Sequence, residues 1–378
     1  MDEKKRKTIL RHITAMGLAP PRVLTIMITN GCNLSCRHCW PDSRCQDMAA
    51  PVPKEQLLRL IRSAVHLGLE EICLTGGEPL THPHWFEVLR FACRLSGFKT
   101  VRLQTNATLL GMPEAKALAS VDFKGLTIQV SLEGTEPSSN DRVRGPGNFE
   151  RAFQGLKRLV EAGLGSRTVV AFTEAEHNFE ELPRLLKRLD AMGIGRLESG
   201  TLVKAGRAAE EDELALPGPS QYRELLKRYH DDPEFRERYR KMGNIACLEW
   251  FRGRSNAVTD PCICMETPYI TADGRMYPCL MLPMERYQVQ GVHDRPFEDV
   301  LMDGVSLWAE IPSLYRRREK ALEACIGCPG RIHCAGGCLG RAYASAGDPM
   351  TVEDRCALRR AVYSWEAPSR PGHKQKVY

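Results

Sequence analysis

Between residues 22 and 203 short apolar, β-branched runs alternate with longer amphipathic stretches, and that alternation leaves few folds open. It is the pattern of repeated strand–helix units around a parallel sheet, in which each return crossing is made by a covering helix. Strands fit 22–29, 71–75, 100–105, 126–131, 167–173 and 196–203, and helices fit 54–67, 83–95, 113–120, 148–163 and 178–192. The six units predict an α/β chain built as a partial (β/α)6, TIM-like barrel. Barrels of this kind gather their chemistry at the C-terminal ends of the strands. Four unusual segments fall there: "TNGCNLSCRHCW" after the first strand, "GGEP" after the second, "NAT" after the third and "LEG" after the fourth.

The chain has 378 residues and fifteen cysteines, enough length for more than one domain. No apolar run reaches the roughly 18 residues of a membrane span, and the start "MDEKKRKTIL" lacks the apolar core of a secretion signal. Both points predict a cytoplasmic protein with no membrane partner. In that reducing compartment the cysteines imply metal rather than disulfides. The net charge of +6 is spread along the chain, so no nucleic-acid partner is expected. Cys32, Cys36 and Cys39 form C-x3-C-x2-C. Three thiolates can hold three irons of a four-iron cluster and leave the fourth iron open. A closed zinc site would need a fourth ligand, for which His38 and Cys45 are the neighbours at hand; Cys45 reads better as a loop thiol.

The three-cysteine loop after the first strand, with "GGEP" after the second, closely resembles the radical S-adenosylmethionine (SAM) enzymes over about 22–205. The resemblance implies that Cys32, Cys36 and Cys39 ligate a [4Fe–4S] cluster, and that the amino and carboxylate groups of SAM bind its open iron. One electron then cleaves the sulfonium to a 5′-deoxyadenosyl radical. It also implies SAM-binding roles for Gly76, Gly77, Glu78 and Pro79, for Thr105 and Asn106, for Ser131 and Glu133, and for Arg144 in "DRVRGPGNF". Gly76 and Gly77 would let the backbone approach the ligand and Glu78 would accept a hydrogen bond from its ammonium. Relatives often carry Asp at the position of Glu133.

A second cysteine series runs Cys264, Gly274, Cys279, then Cys325-x2-Cys328-x5-Cys334-x3-Cys338, and closes at Cys356. It resembles the SPASM extension of peptide- and protein-modifying radical enzymes. The resemblance implies one auxiliary [4Fe–4S] cluster on Cys264, Cys279 and Cys338 and a second on Cys325, Cys328, Cys334 and Cys356, three clusters in all. Cys262 also has the spacing for the first of them. Cys73, Cys93 and Cys247 lack cluster spacing and read as buried structural thiols.

The expected organisation is an N-terminal extension 1–21, a catalytic barrel 22–205, a bridge 206–246 with one polar helix at about 220–241, a loop-rich auxiliary-cluster domain 247–365 containing a hairpin in "TPYITADGRMYPC", and a basic tail 366–378. The implied function is oxidative modification or cross-linking of a ribosomally made peptide, with a flavodoxin- or ferredoxin-type reductant. Residues 1–21 are too short for a winged-helix module, so a leader peptide would need a separate binding protein or another docking surface. Two other enzymatic readings are a sulfatase maturase, against which stands Leu280 where those relatives have an acid after the cluster cysteine, and modification of a haem precursor. A zinc-stapled binding protein is the reading from a different class.

Overall fold

The computed structural model describes residues 3–43, 50–254, 262 and 264–367. Six parallel strands follow one another in chain order: β1 (Val23–Met27), β2 (Glu71–Thr75), β3 (Thr100–Thr105), β4 (Leu126–Ser131), β5 (Thr168–Glu174) and β6 (Arg196–Thr201). Unbroken parallel order is what right-handed strand–helix units produce when every helix lies on the same side. The helices are Lys54–Leu67, Trp85–Arg94, Met112–Ala119, Asn148–Glu161 and Leu182–Ala191, close to the expected spans. Lys54–Leu67 shows the logic: Leu57, Leu60, Ile61, Ala64 and Leu67 make its buried stripe, and Gly68, at φ 97°, ends it in the left-handed conformation.

The strands alternate. In β3, Val101, Leu103 and Thr105 are buried, while Arg102 and Gln104 are half-buried; in β4, Gln129 and Ser131 alternate with Ile128 and Val130. The apolar set packs under the helices and the polar set lines the lumen, where Arg102 donates to Gln129 at 2.7 Å and to Glu198 of β6 at 3.0 Å.

β1 and β6 do not pair with each other, so the barrel is open on one side. The rear third of the chain engages both of its edges. The expected hairpin forms from β8 (Tyr269–Ile270) and β9 (Met276–Tyr277), antiparallel around Gly274 at φ 80°, and β8 joins β1 as a parallel neighbour. On the other edge β7 (Gly243–Asn244) adds to β6, and buried Arg341 donates to the carbonyls of Thr201 and Leu202 at the end of β6. One continuous apolar core therefore runs from Leu24 and Ile26 through Ile270 and Met276 to Trp308 and Ile311.

The bridge departs from expectation. Where the sequence predicts a single helix over about 220–241, there are two, Pro219–Asp231 and Pro233–Met242. Pro233 has no N–H and cannot continue a helix, while the Asp232 carboxylate caps the next one by accepting from Phe235 N at 2.9 Å. Other helices lie outside the expected set: Glu3–Ala15, which buries Ile9 and Ile13 and packs on Phe297–Trp308, and Pro137–Arg144 after β4; and the segment 247–365, expected to be loop-rich, carries the helices Phe297–Trp308, Ile311–Ala321, Leu339–Ala346 and Cys356–Tyr363. Among the described residues no helix is long and apolar enough to cross a membrane. Cys45 and the tail beyond residue 367 lie outside the described residues.

Candidate functional site

At the C-terminal ends of the strands lies a cavity of about 550 Å³. Cys32, Cys36 and Cys39 line it, with Gly76, Gly77, Glu78, Thr105, Asn106, Ser131, Glu133 and Arg144. The fold thus brings together residues more than a hundred positions apart. Pro79 is not among the lining residues; it is buried as the first residue of the 3-10 turn Pro79–Thr81.

The glycines of "GGEP" serve the cysteine loop itself. A Cβ on Gly77 would lie 2.4 Å from the Gly31 carbonyl oxygen, and one on Gly76 would lie 2.6 Å from that of Thr29. Gly77 N donates to Thr29 O and Glu78 N to Gly31 O, each at 2.9 Å. The structure shows them permitting close approach between two loops. Glu78 is fully buried, and its carboxylate accepts from Leu80 N at 3.1 Å, Thr105 Oγ1 at 2.7 Å and Asn106 N at 2.7 Å. Burial outweighs those donors and pushes it up to about 7. Three of its roughly four acceptor positions are therefore held by its own chain.

Glu133 and Arg144 meet each other. Glu133 accepts from Arg144 Nη2 at 2.5 Å and from Thr173 N at 2.5 Å, and lies 3.2 Å from His38 Nε2. Burial raises this carboxyl, but the Arg144 guanidinium, His38 and the Thr173 N–H overcome it and hold it at about 2. Arg144 in turn sits 4.0 Å from Cys36 Sγ. His38, a candidate fourth ligand by sequence, is instead turned to Glu133 and Arg144.

The thiols fit a cluster. The charges of Cys36 and Cys39 reach Cys32, and Leu34 N points at Cys32 Sγ at 3.4 Å. Burial pushes Cys32 up to about 12 and raises Cys36 as well, so without metal they are held as thiols. Among the described residues no three of His, Cys, Asp or Glu converge on a point for one ion. Ligands of a multi-iron cluster stand further apart than the thiolates of a single zinc.

In the rear, Cys325, Cys328, Cys334 and Cys356 line one small enclosed cavity. Cys279 is raised first by burial and then by the charges of Cys338 and Cys262, so both lie within electrostatic reach of it. Cys264 is buried in the apolar core, within electrostatic reach of Tyr287. Leu280, next to Cys279, lines the front cavity. Cys73, Cys93 and Cys247 are buried, as their spacing implied.

Sequence reasoning missed several residues. Arg318, fully buried, donates to the carbonyls of Gly336, Gly337 and Thr351 at 2.6–3.0 Å, and Glu353 accepts from Cys338 N at 2.8 Å while pairing Arg355 and Arg359. A signal for Arg318 existed: it follows Ile311 and Tyr315 on one face of helix Ile311–Ala321. Arg207, beyond β6, hydrogen-bonds into the cysteine loop, and nothing local in the sequence announces it.

Residues 26–189 match the radical SAM superfamily. That segment is a radical SAM domain. The chain is an enzyme of the radical SAM class, and its relatives extend the likeness beyond the matched segment. It is 27% identical over 362 residues to an AdoMet-dependent heme synthase of Methanosarcina barkeri, covering 90% of this chain and 97% of that one. It is 27% identical over 322 residues to the sporulation killing factor maturation protein SkfB of Bacillus subtilis, covering 81% and 69%. In fold it is similar to Streptococcus suis SuiB bound to S-adenosylmethionine, with a TM-score of 0.72 at 19% identity over 93% of this chain and 80% of that one. The α/β, partial-barrel expectation is thereby borne out.

Proposed function

We propose that this radical SAM enzyme oxidatively modifies or cross-links a ribosomally made peptide, with 22–205 as its catalytic unit and 247–365 as an auxiliary-cluster unit. The observation that carries the reading is the grouping of the thiols: three on the strand-end cavity, four around an enclosed rear cavity, and Cys279 within electrostatic reach of Cys338 and Cys262. In this reading the front group holds the SAM-binding [4Fe–4S] cluster and the rear groups two more, with Cys264 available to the nearer one. When bound, cluster and SAM would supply a 5′-deoxyadenosyl radical able to remove a hydrogen atom, and clusters on the rear thiols would offer a site for the electron left behind. The chain's own residues orient the pieces: "GGEP" docks the cysteine loop, and Glu133 holds Arg144 beside Cys36. A flavodoxin- or ferredoxin-type protein in the cytoplasm would supply the electron.

A haem-precursor substrate is the second reading, favoured by the heme synthase likeness over 97% of that relative. Its carboxylates would call for unpaired cations. Yet the arginines of the cavity already face carboxylates: Arg102 with Glu198, Arg144 with Glu133, Arg207 with Asp42. Leu280 gives the cavity an apolar side chain where a sulfatase maturase has an acid.

The first test is anaerobic reconstitution. We expect about twelve iron and twelve sulfide per chain, falling by roughly four when Cys32, Cys36 and Cys39 are all changed to Ala. Zinc without sulfide overturns the catalytic reading. With SAM and a one-electron reductant, the peptide reading requires a peptide encoded beside the gene to lose hydrogen by mass spectrometry; turnover of a tetrapyrrole carboxylate alone refutes it.

A further inference from the structure

The loop that carries Cys32, Cys36 and Cys39 leaves β1 at the open edge of the barrel, and the chain leaving β6 at the other edge reaches across to it. Arg207 makes the inner crossing. Its Nε donates to Cys36 O at 2.9 Å, its Nη2 to Ser43 O at 2.9 Å, its Nη1 to Asp42 Oδ1 at 2.7 Å, and its backbone N to Cys39 O at 3.1 Å. The side chain is only 12% exposed. Gly206, at φ 56°, lies so close that a Cβ would stand 2.3 Å from Trp40 O. Asp42 itself has φ 55°, a left-handed conformation that a non-glycine residue keeps when its surroundings hold it.

An outer crossing runs with the opposite charge order. Arg37, in the cysteine loop, donates through Nε to Glu211 Oε2 at 2.9 Å and through Nη2 to Glu213 at 3.0 Å. Lys204 braces the strap from beneath, donating to the carbonyls of Glu211 at 2.7 Å and Leu214 at 2.9 Å.

We propose that residues 206–213 form a clasp that fixes the three-cysteine loop across the open seam of the barrel, with Arg207 as the positioning residue for the main chain between Cys36 and Cys39. Charge-assisted bonds to three consecutive parts of one loop hold it in one place. The three thiols are then held at the cavity wall before a cosubstrate arrives. The proposal rests on the reading of these cysteines as cluster ligands.

The test uses the full chain reconstituted anaerobically, with iron content, SAM affinity and the change that SAM induces in the electron paramagnetic resonance (EPR) spectrum of the reduced protein. Arg207→Ala is expected to bind SAM roughly tenfold more weakly, about 1.4 kcal/mol, and to blunt the spectral change. Its metal-free form should melt lower than the parent but still cooperatively, and Arg207→Lys should recover part of the response. Glu211→Gln, at a side chain 27% exposed, tests the outer crossing in a chain that folds even if Arg207→Ala does not, and should move the same readouts less. Parent-like affinity and spectra in both Arg207→Ala and Glu211→Gln overturn the clasp. A parent that shows no SAM-responsive signal overturns the cluster reading, and the clasp with it.

Discussion

Glu133 is 1% exposed and charged, and that combination has a measurable consequence. Its folded pKa, about 2, lies below the ordinary 4.5, so the stability it contributes is present above pH 4.5 and is lost as pH falls towards 2. Glu133→Gln should flatten that acid limb in urea melts of the metal-free protein. Near pH 7 it should cost on the order of 3 kcal/mol, because Arg144 is left buried without its partner; an unchanged acid limb would remove the pair from the stability account. Gly77→Ala tests the loop–loop contact. The added methyl meets Gly31 O at 2.4 Å and Asn30 O at 2.6 Å, both backbone atoms that cannot swing aside. We expect a folded protein that retains the rear iron but loses most of the front share of about four. At this scale the sequence displayed the residue types, while their partners came from other strands.

Elements were more legible than residues. β2, β3 and β4 fall where their β-branched runs predict, because each is bounded by turn residues and paired on both sides. The break between Pro219–Asp231 and Pro233–Met242 was written in the sequence as Asp232-Pro233, a cap followed by a proline at the first helical position. Asp232→Ala should cost about 1 kcal/mol in denaturant melts and leave the SAM-induced spectral change alone. Helix Ile311–Ala321 is the opposite case, since its buried face ends in a charge. Arg318→Ala removes the donor to three carbonyls around Gly336 and Gly337, with an expected cost of about 3 kcal/mol or more and loss of iron from the rear set alone. Retention of all the iron would show that the loop holds itself.

Across the whole molecule the rear third is wedded to the barrel at both edges, through β8 on β1 and Arg341 on the end of β6. A single unfolding transition is therefore expected from calorimetry of the metal-free protein. Ile270→Asp, which puts a carboxylate into the shared core beside Ile26, should unfold front and rear together. Two separate transitions would mean that the shared core does not couple them. The sequence by itself determined the strand–helix alternation, the strand-end loops and the two cysteine series, because each is written in local periodicity or in spacing along the chain. It determined neither the pairing of Glu133 with Arg144, nor the use of the glycines to dock one loop on another, nor the reach of Arg207 from beyond β6 into the loop after β1. Those contacts join residues that only the closing of the sheet brings near, and the burial that makes them strong exists only once the helices and the rear segment have excluded water.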